Sequence, residues 1–284
     1  IGEPITADLV KLTARVPLSG TVAASATNGY MLSSKLNDSF RAVNLLLEKG
    51  VAVRRVPRAD GFTPGDFIVA GSGNAAVAEV AKQTGVTFAA LASTAPAAAY
   101  DIRKPRVAMY HRYGGGNMDE GWTRLMFEQF NVPFTSLMDA ELRKGDLNAR
   151  FDVIVLPADS VTAMTGEPAA GGGGGRGGGG GAGGGQDSTP PEYRSGFGAD
   201  GVKALQGFVQ KGGTLVTFAQ AGDLPIQRFG LPLRNVVANL PSKEFWAPGS
   251  TLRVRYDTGH PIAYGMPPEG LALFMAGSQA YEVS

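Results

Sequence analysis

The chain has 284 residues, enough for one large or two modest domains. Its net charge is +1, from 26 basic and 25 acidic residues, so no overall field favours nucleic acid or an anionic membrane. Cysteine is absent, which excludes disulfides, thiolate metal sites and cysteine nucleophiles, and no apolar run reaches the roughly 20 residues of a membrane span.

Residues 1–28 are small, polar and weakly patterned, and read as a linker or edge segment. The chain starts at Ile1 and carries no recognisable signal peptide, so it is read as part of a longer protein. A strand is expected over 29–33. A helix starting at Asn37-Asp38 follows, with Phe40, Val43, Asn44 and Leu47 at helical spacing and Gly50 as its cap. Strands over 51–56 and 67–70, a helix over 75–83 and a strand over 86–91 complete a small α/β lobe, 29–100. The alanine- and proline-rich stretch 93–100 marks its boundary.

The second domain, 101–284, is organised around residues 105–156. Val107 to Met109 form a buried-type strand, Gly114, Gly115 and Gly116 break it, and Asn117 or Asp119 can cap the next helix. Trp122, Leu125, Met126, Gln129 and Phe130 recur at three- and four-residue spacing and give that helix a mostly apolar face. Asn131-Val132-Pro133 ends it, because proline disfavours helical geometry in the residue before it. Phe151 to Leu156 is a further buried-type strand. The glycine-rich stretch 169–189 lacks the short spacing and Lys-Ser or Lys-Thr of a phosphate loop, so it reads as a surface insertion. A helix over 201–211 carries Val202, Leu205, Phe208 and Val209 on one face, and a strand returns over 214–218. Strands over 251–256 and 271–275 close the chain. Arg253 and Arg255 alternate and so share one solvated face. The fold class is α/β, with a flavodoxin-like open sheet preceded by a smaller α/β lobe.

The chemistry is sparse. His111 lies just past a strand end, at the carboxyl edge where open α/β sheets hold ligands. His260 precedes Pro261 in a turn and reads as structural. Asp119 and Glu120 could serve acid–base chemistry, or could simply complement the helix dipole in the first turn. Hydrolases of doubly wound fold carry a nucleophile at a sharp strand-to-helix turn, often within G-x-S-x-G. Here the matching stretch is Val216-Thr217-Phe218-Ala219-Gln220-Ala221-Gly222, with no serine or cysteine at the turn. Thr217 lies within the strand with no histidine nearby in sequence. PPEY, 190–193, and EFWAPGS, 244–250, could line a groove or staple loops.

The run MDEGWTRLMFEQFNVPFTSLMDAELRKGDLNARFDVIVLP, then PPEY, GVKALQGFVQKGGTLVTF, FGLPLRNV, PGSTLRV and HPIAYGMP, resembles the carboxy-terminal region of large bacterial zinc carboxypeptidases, relatives of the carboxypeptidase A-like metallopeptidases. With GYMLSSKLNDSFRAVNLLLEKG the resemblance spans about 29 to the end. It implies a class I glutamine amidotransferase-type domain without its nucleophile, in agreement with Ala219 at the turn. It also implies a secreted or periplasmic parent whose upstream peptidase domain holds zinc and is the partner of this region. The family's zinc motif H-x-x-E is not met here: His111 is followed by Arg112, Tyr113 and Gly114, and His260 by Pro261, Ile262 and Ala263. No catalytic residue, cofactor or metal is therefore expected within this chain. The leading expectation is a non-catalytic accessory region. One alternative is a peptide- or glycan-binding module with its ligand at His111, Gly114, Gly115, Gly116, Asn117, Asp119 and Glu120. Another is an atypical hydrolase using His111 with Asp119 or Glu120.

Overall fold

A computed structural model describes residues 6–14, 16, 18–24, 26–57, 61–71, 74–114, 116–167, 190, 195–238, 240–247, 249–274 and 279–283. The chain forms two compact units, Ile1–Ile102 with Thr258–Met266, and Arg103–Asp257 with Pro267–Ser284. The Gly-rich stretch 169–189, Gly115 and most of PPEY lie outside the described residues.

The first unit contains β1 (Tyr30–Leu32), α1 (Asn37–Glu48), β2 (Val53–Arg55), β3 (Phe67–Val69), α2 (Asn74–Thr84), β4 (Ala89–Ala90) and β5 (Tyr100–Asp101). Its sheet has the order β4-β1-β3-β2-β5, and every pairing is antiparallel. Alternation along β3 sends Phe67 and Val69 into one core and Ile68 into another. The first core is closed by Ala42, Val43 and Leu46 of α1 and by Val77, Val80 and Ala81 of α2. β5 continues the sheet past residue 100, and 258–266 returns from far along the chain to this unit, a long-range return with no local signature in the sequence.

The second unit runs β6 (Val107–Tyr110), α3 (Met118–Gln129), β7 (Phe134–Leu137), α4 (Asp139–Arg143), α5 (Leu147–Arg150), β8 (Val153–Leu156), α6 (Val161–Thr165), α7 (Gly198–Gln210), β9 (Thr214–Thr217), α8 (Asp223–Phe229), β10 (Leu233–Asn235), β11 (Ser250–Arg255), β12 (Glu269–Phe274) and β13 (Tyr281–Val283). Four parallel strands stand in the order β7-β6-β8-β9, the flavodoxin-like arrangement. Chain order reverses between β6 and β8, so a crevice is expected beyond their carboxyl ends. One sheet face, with Ala108, Tyr110, Ile154 and Leu156, packs on Leu142, Leu147, Met164, Leu205, Phe208 and Leu224 from α4 to α8. The opposite face, with Val107, Met109 and Val155, meets Phe127 of α3 and Phe134 of β7.

The mostly apolar stripe of α3 is not the face that the sheet takes. Trp122 is 66 % exposed and Met126 53 %, whereas Glu120 is buried. Helical spacing identifies a stripe but not which side the sheet takes, and Phe127 takes it here. β11 and β12 form a separate ribbon, and β10 pairs with β13. On the ribbon, exposed Arg253 and Arg255 share one face and both approach Glu269, at 3.3 and 3.4 Å.

Candidate functional site at the carboxyl edge of the parallel sheet

β6 ends at Tyr110, and His111 continues its pairing through a backbone N–H donated to Leu137, 3.0 Å. Asn117 then caps α3, its side-chain oxygen accepting from the amides of Asp119, 3.0 Å, and Glu120, 3.3 Å. The same side chain donates to Ala158 O, 3.2 Å, and lies 3.4 Å from Asp159 Oδ2. Thus one residue caps the helix after β6 and ties it to the loop after β8.

Arg112 reinforces that tie. Its guanidinium donates to Gly114 O and Gly116 O, both at 2.6 Å, and Nε lies 2.7 Å from Asp159 Oδ2 as an off-axis ion contact without a hydrogen bond of its own. Both side chains are largely buried. Burial pushes the Asp159 carboxyl above the usual range, and Arg112 opposes that rise only in part. Gly114 N donates to Ser195 Oγ, 2.5 Å, which draws the start of α7 into the same edge. The close backbone approach at Gly196 (φ 127°) needs glycine: a Cβ there would stand 2.6 Å from Thr165 O. Gly196 N donates to Asp139 Oδ2, 2.9 Å, and Asp139 Oδ1 accepts from the buried Tyr110 hydroxyl, 2.7 Å. Burial, with Asp139 beside it, raises the Tyr110 phenol far above its ordinary range and keeps it protonated.

His111 Nδ1 lies 3.4 Å from Glu120 Oε1, and that oxygen also takes Arg124 in an i,i+4 pair. A buried carboxylate oriented by arginine can hold a partly exposed imidazole, so the pair could position a proton. Asp119 is exposed and its contacts are those of a first helical turn, with Thr123 Oγ1 donating to its carbonyl at 2.7 Å. The structure therefore places His111, Gly114, Gly116, Asn117 and Glu120 together at the edge, with Asp119 at its rim. Arg112, Asp159, Ser195, Tyr110 and Asp139 were not singled out from the sequence. Each is isolated along the chain, and only the sheet order brings them together. Among the described residues, no three His, Cys, Asp or Glu side chains form a metal set. His111 and His260 belong to different units, and neither stands in a zinc-ligand pattern.

The turn after β9 has a second, distinct geometry. Phe218 stays extended and pairs with Leu156 O, then Ala219 enters the left-handed region at φ 44° and opens a one-turn helix, Ala219–Gly222, leading into α8. That is a strained strand-to-helix elbow carrying a methyl group where an elbow enzyme carries its nucleophile. The Gln279 carboxamide, oriented by its partners, accepts from Gln220 N at 3.2 Å and donates to Ala219 O at 3.3 Å. Thr217 Oγ1 and Tyr281 OH border Gly222, and burial raises both the Asp223 carboxyl and the Tyr281 phenol. No family model, curated protein or solved structure matches the chain.

Proposed function

We propose that this chain is a non-catalytic accessory region of a zinc carboxypeptidase-like protein. In this reading its parallel-sheet unit is an amidotransferase-like fold without a nucleophile, and it packs on or modulates the peptidase domain of the same protein. The observation that carries the reading is Ala219: a left-handed elbow at the end of β9 with no hydroxyl or thiol. The backbone N–H that would face an oxyanion, that of Gln220, is already taken by Gln279. Zinc enters only through the peptidase domain, because the two histidines here do not fit its motif. Secretion or a periplasmic location goes with that parent.

The test is turnover by the purified chain, with and without added zinc, on glutamine and on peptides with free carboxy termini. The expected result is no turnover on either substrate. Hydrolysis that survives chelation and stops with His111→Ala would overturn the proposal in favour of a hydrolase. A second reading, a peptide or glycan held at the β6–β8 crevice, is favoured by the His111–Glu120 contact at that edge. It requires binding that is lost on Asp119→Ala.

A further inference from the structure

Arg55 closes β2 opposite Phe67 of β3. Its guanidinium carbon lies 5.4 Å from the Phe67 ring centre, 5.2 Å from that of Tyr264 and 6.0 Å from that of Phe40. Three ring faces around one cation fix its position through their quadrupoles. Phe40 and Phe67 are themselves locked edge to face, 5.3 Å apart at 86°. Tyr264 arrives from the far end of the sequence, and two glycines make room for it. A Cβ on Gly65 would stand 2.5 Å from Tyr264 Cβ, and one on Gly265 would stand 2.2 Å from Ser34 O. The aromatic enclosure is thus built by three separated stretches of one unit.

Among the described residues, no carboxylate neutralises what the enclosure holds. Among these residues, the Arg55 side chain makes no hydrogen bond or ion pair, and its Nε is buried with no partner. The neighbouring Arg54 shows the ordinary alternative, lying 3.7 Å from Asp101 and donating to Ala99 O. Asp66, the buried carboxylate of the same turn region, is committed elsewhere. It accepts from Ser34 N and Thr63 N, both at 2.9 Å, and from Ser34 Oγ at 3.1 Å. A half-buried guanidinium with a preset orientation and donors without a protein partner matches the planar, bidentate geometry of an oxyanion. Poor screening beside aromatic walls strengthens that attraction relative to an arginine in open water.

We propose that Arg55, walled by Phe40, Phe67 and Tyr264, is a binding site for an oxyanion group, the carboxylate or phosphate of a small molecule or peptide. The site lies in the first unit and stands independently of the functional reading above. Its test is an arginine-selective NMR titration of the full chain, following the Nε–H of Arg55, with the resonance assigned from the Arg55→Lys spectrum. Sodium acetate and inorganic phosphate are added separately at constant ionic strength set with sodium chloride. The expected result is a saturable shift with half-saturation on the order of 1 mM for at least one oxyanion, and none with chloride. The anion that saturates names the class. Arg55→Lys keeps the charge but not the fork, and should weaken binding by about tenfold, measured by calorimetry. Tyr264→Leu, which keeps the arginine, should weaken it several-fold. The absence of a saturable shift with either anion in the unmodified chain would overturn the proposal, whether or not the variants fold.

Discussion

Arg112 and Asp159 meet with Nε 2.7 Å from Oδ2, and through this pair the loop after β6 is fastened to the loop after β8. The two loops flank the point at which strand order reverses, so the pair fixes how they meet at that edge. Replacing Arg112 by Met would leave a largely buried carboxylate without its cation. Such a loss typically costs about 3 kcal/mol, and it would also release Gly114 O and Gly116 O. Urea unfolding should show that loss, with faster amide exchange at Gly114 and Asn117. An unchanged midpoint would mean that the loops hold without the pair.

Two aspartates should give opposite pH signatures. Hydrogen bonds from the Arg106 side chain and backbone lower the Asp152 carboxyl to about 2. Its folded value lies below its unfolded value, so its contribution is present above the ordinary aspartate range and is lost as pH falls toward 2. Asp159 is raised, mainly by burial, so its own contribution is greatest at low pH and is lost as pH rises through its folded value. Carbon-detected NMR titration should find Asp152 titrating low and Asp159 high. Asp152→Asn should remove part of the acid destabilisation.

Tyr110 tests the buried network under the same edge. Its hydroxyl donates to Asp139 Oδ1 at 2.7 Å and lies 3.3 Å from Met164 O. Tyr110→Phe preserves the ring that packs edge to face on Phe197 and removes only the donor. Leaving Asp139 short of one bond should cost about 1–3 kcal/mol in chemical denaturation. A cost near zero would show that Gly196 N alone satisfies that carboxylate.

The elbow makes a prediction of opposite sign. Ala219 holds φ 44°, a region that disfavours any Cβ. Ala219→Gly should therefore stabilise the chain by roughly 0.5–1 kcal/mol, after the added freedom of the unfolded glycine offsets part of the relief. Ala219→Val should destabilise it. Gln279→Ala, which uncaps Gln220 N, should speed exchange at that amide while leaving β6 and β8 protected. Destabilisation by glycine would show that the left-handed turn is not a strained one.

Much of this architecture was legible in the sequence. The apolar runs at Val107 and Phe151, the helix over 201–211 and a cap at Asn117 or Asp119 follow local rules; the elements lie close to where those rules put them, and Asn117 is the cap. The carboxyl edge was legible too, because His111 and Asn117 simply follow a strand end. Arg112 and Asp159 were not, since neither stands out until β6 and β8 become neighbours. The buried side of α3 was not legible for a related reason: spacing shows that Trp122 and Met126 share a helix face but not what lies opposite, and Phe127 supplies the contact with the sheet. The capture of Tyr264 by the first unit depends on two glycines far apart in sequence, Gly65 and Gly265, and no local pattern announces it.

The proposal that this chain serves a zinc peptidase rather than acting as an enzyme itself can be decided by the intact mass of the native protein together with its upstream reading frame. The expected result is a longer polypeptide whose upstream part carries H-x-x-E, a later histidine and a downstream glutamate. A native protein that begins near Ile1 would contradict it, and the sheet edge at His111, Arg112 and Asp159 would then be where the activity has to be sought.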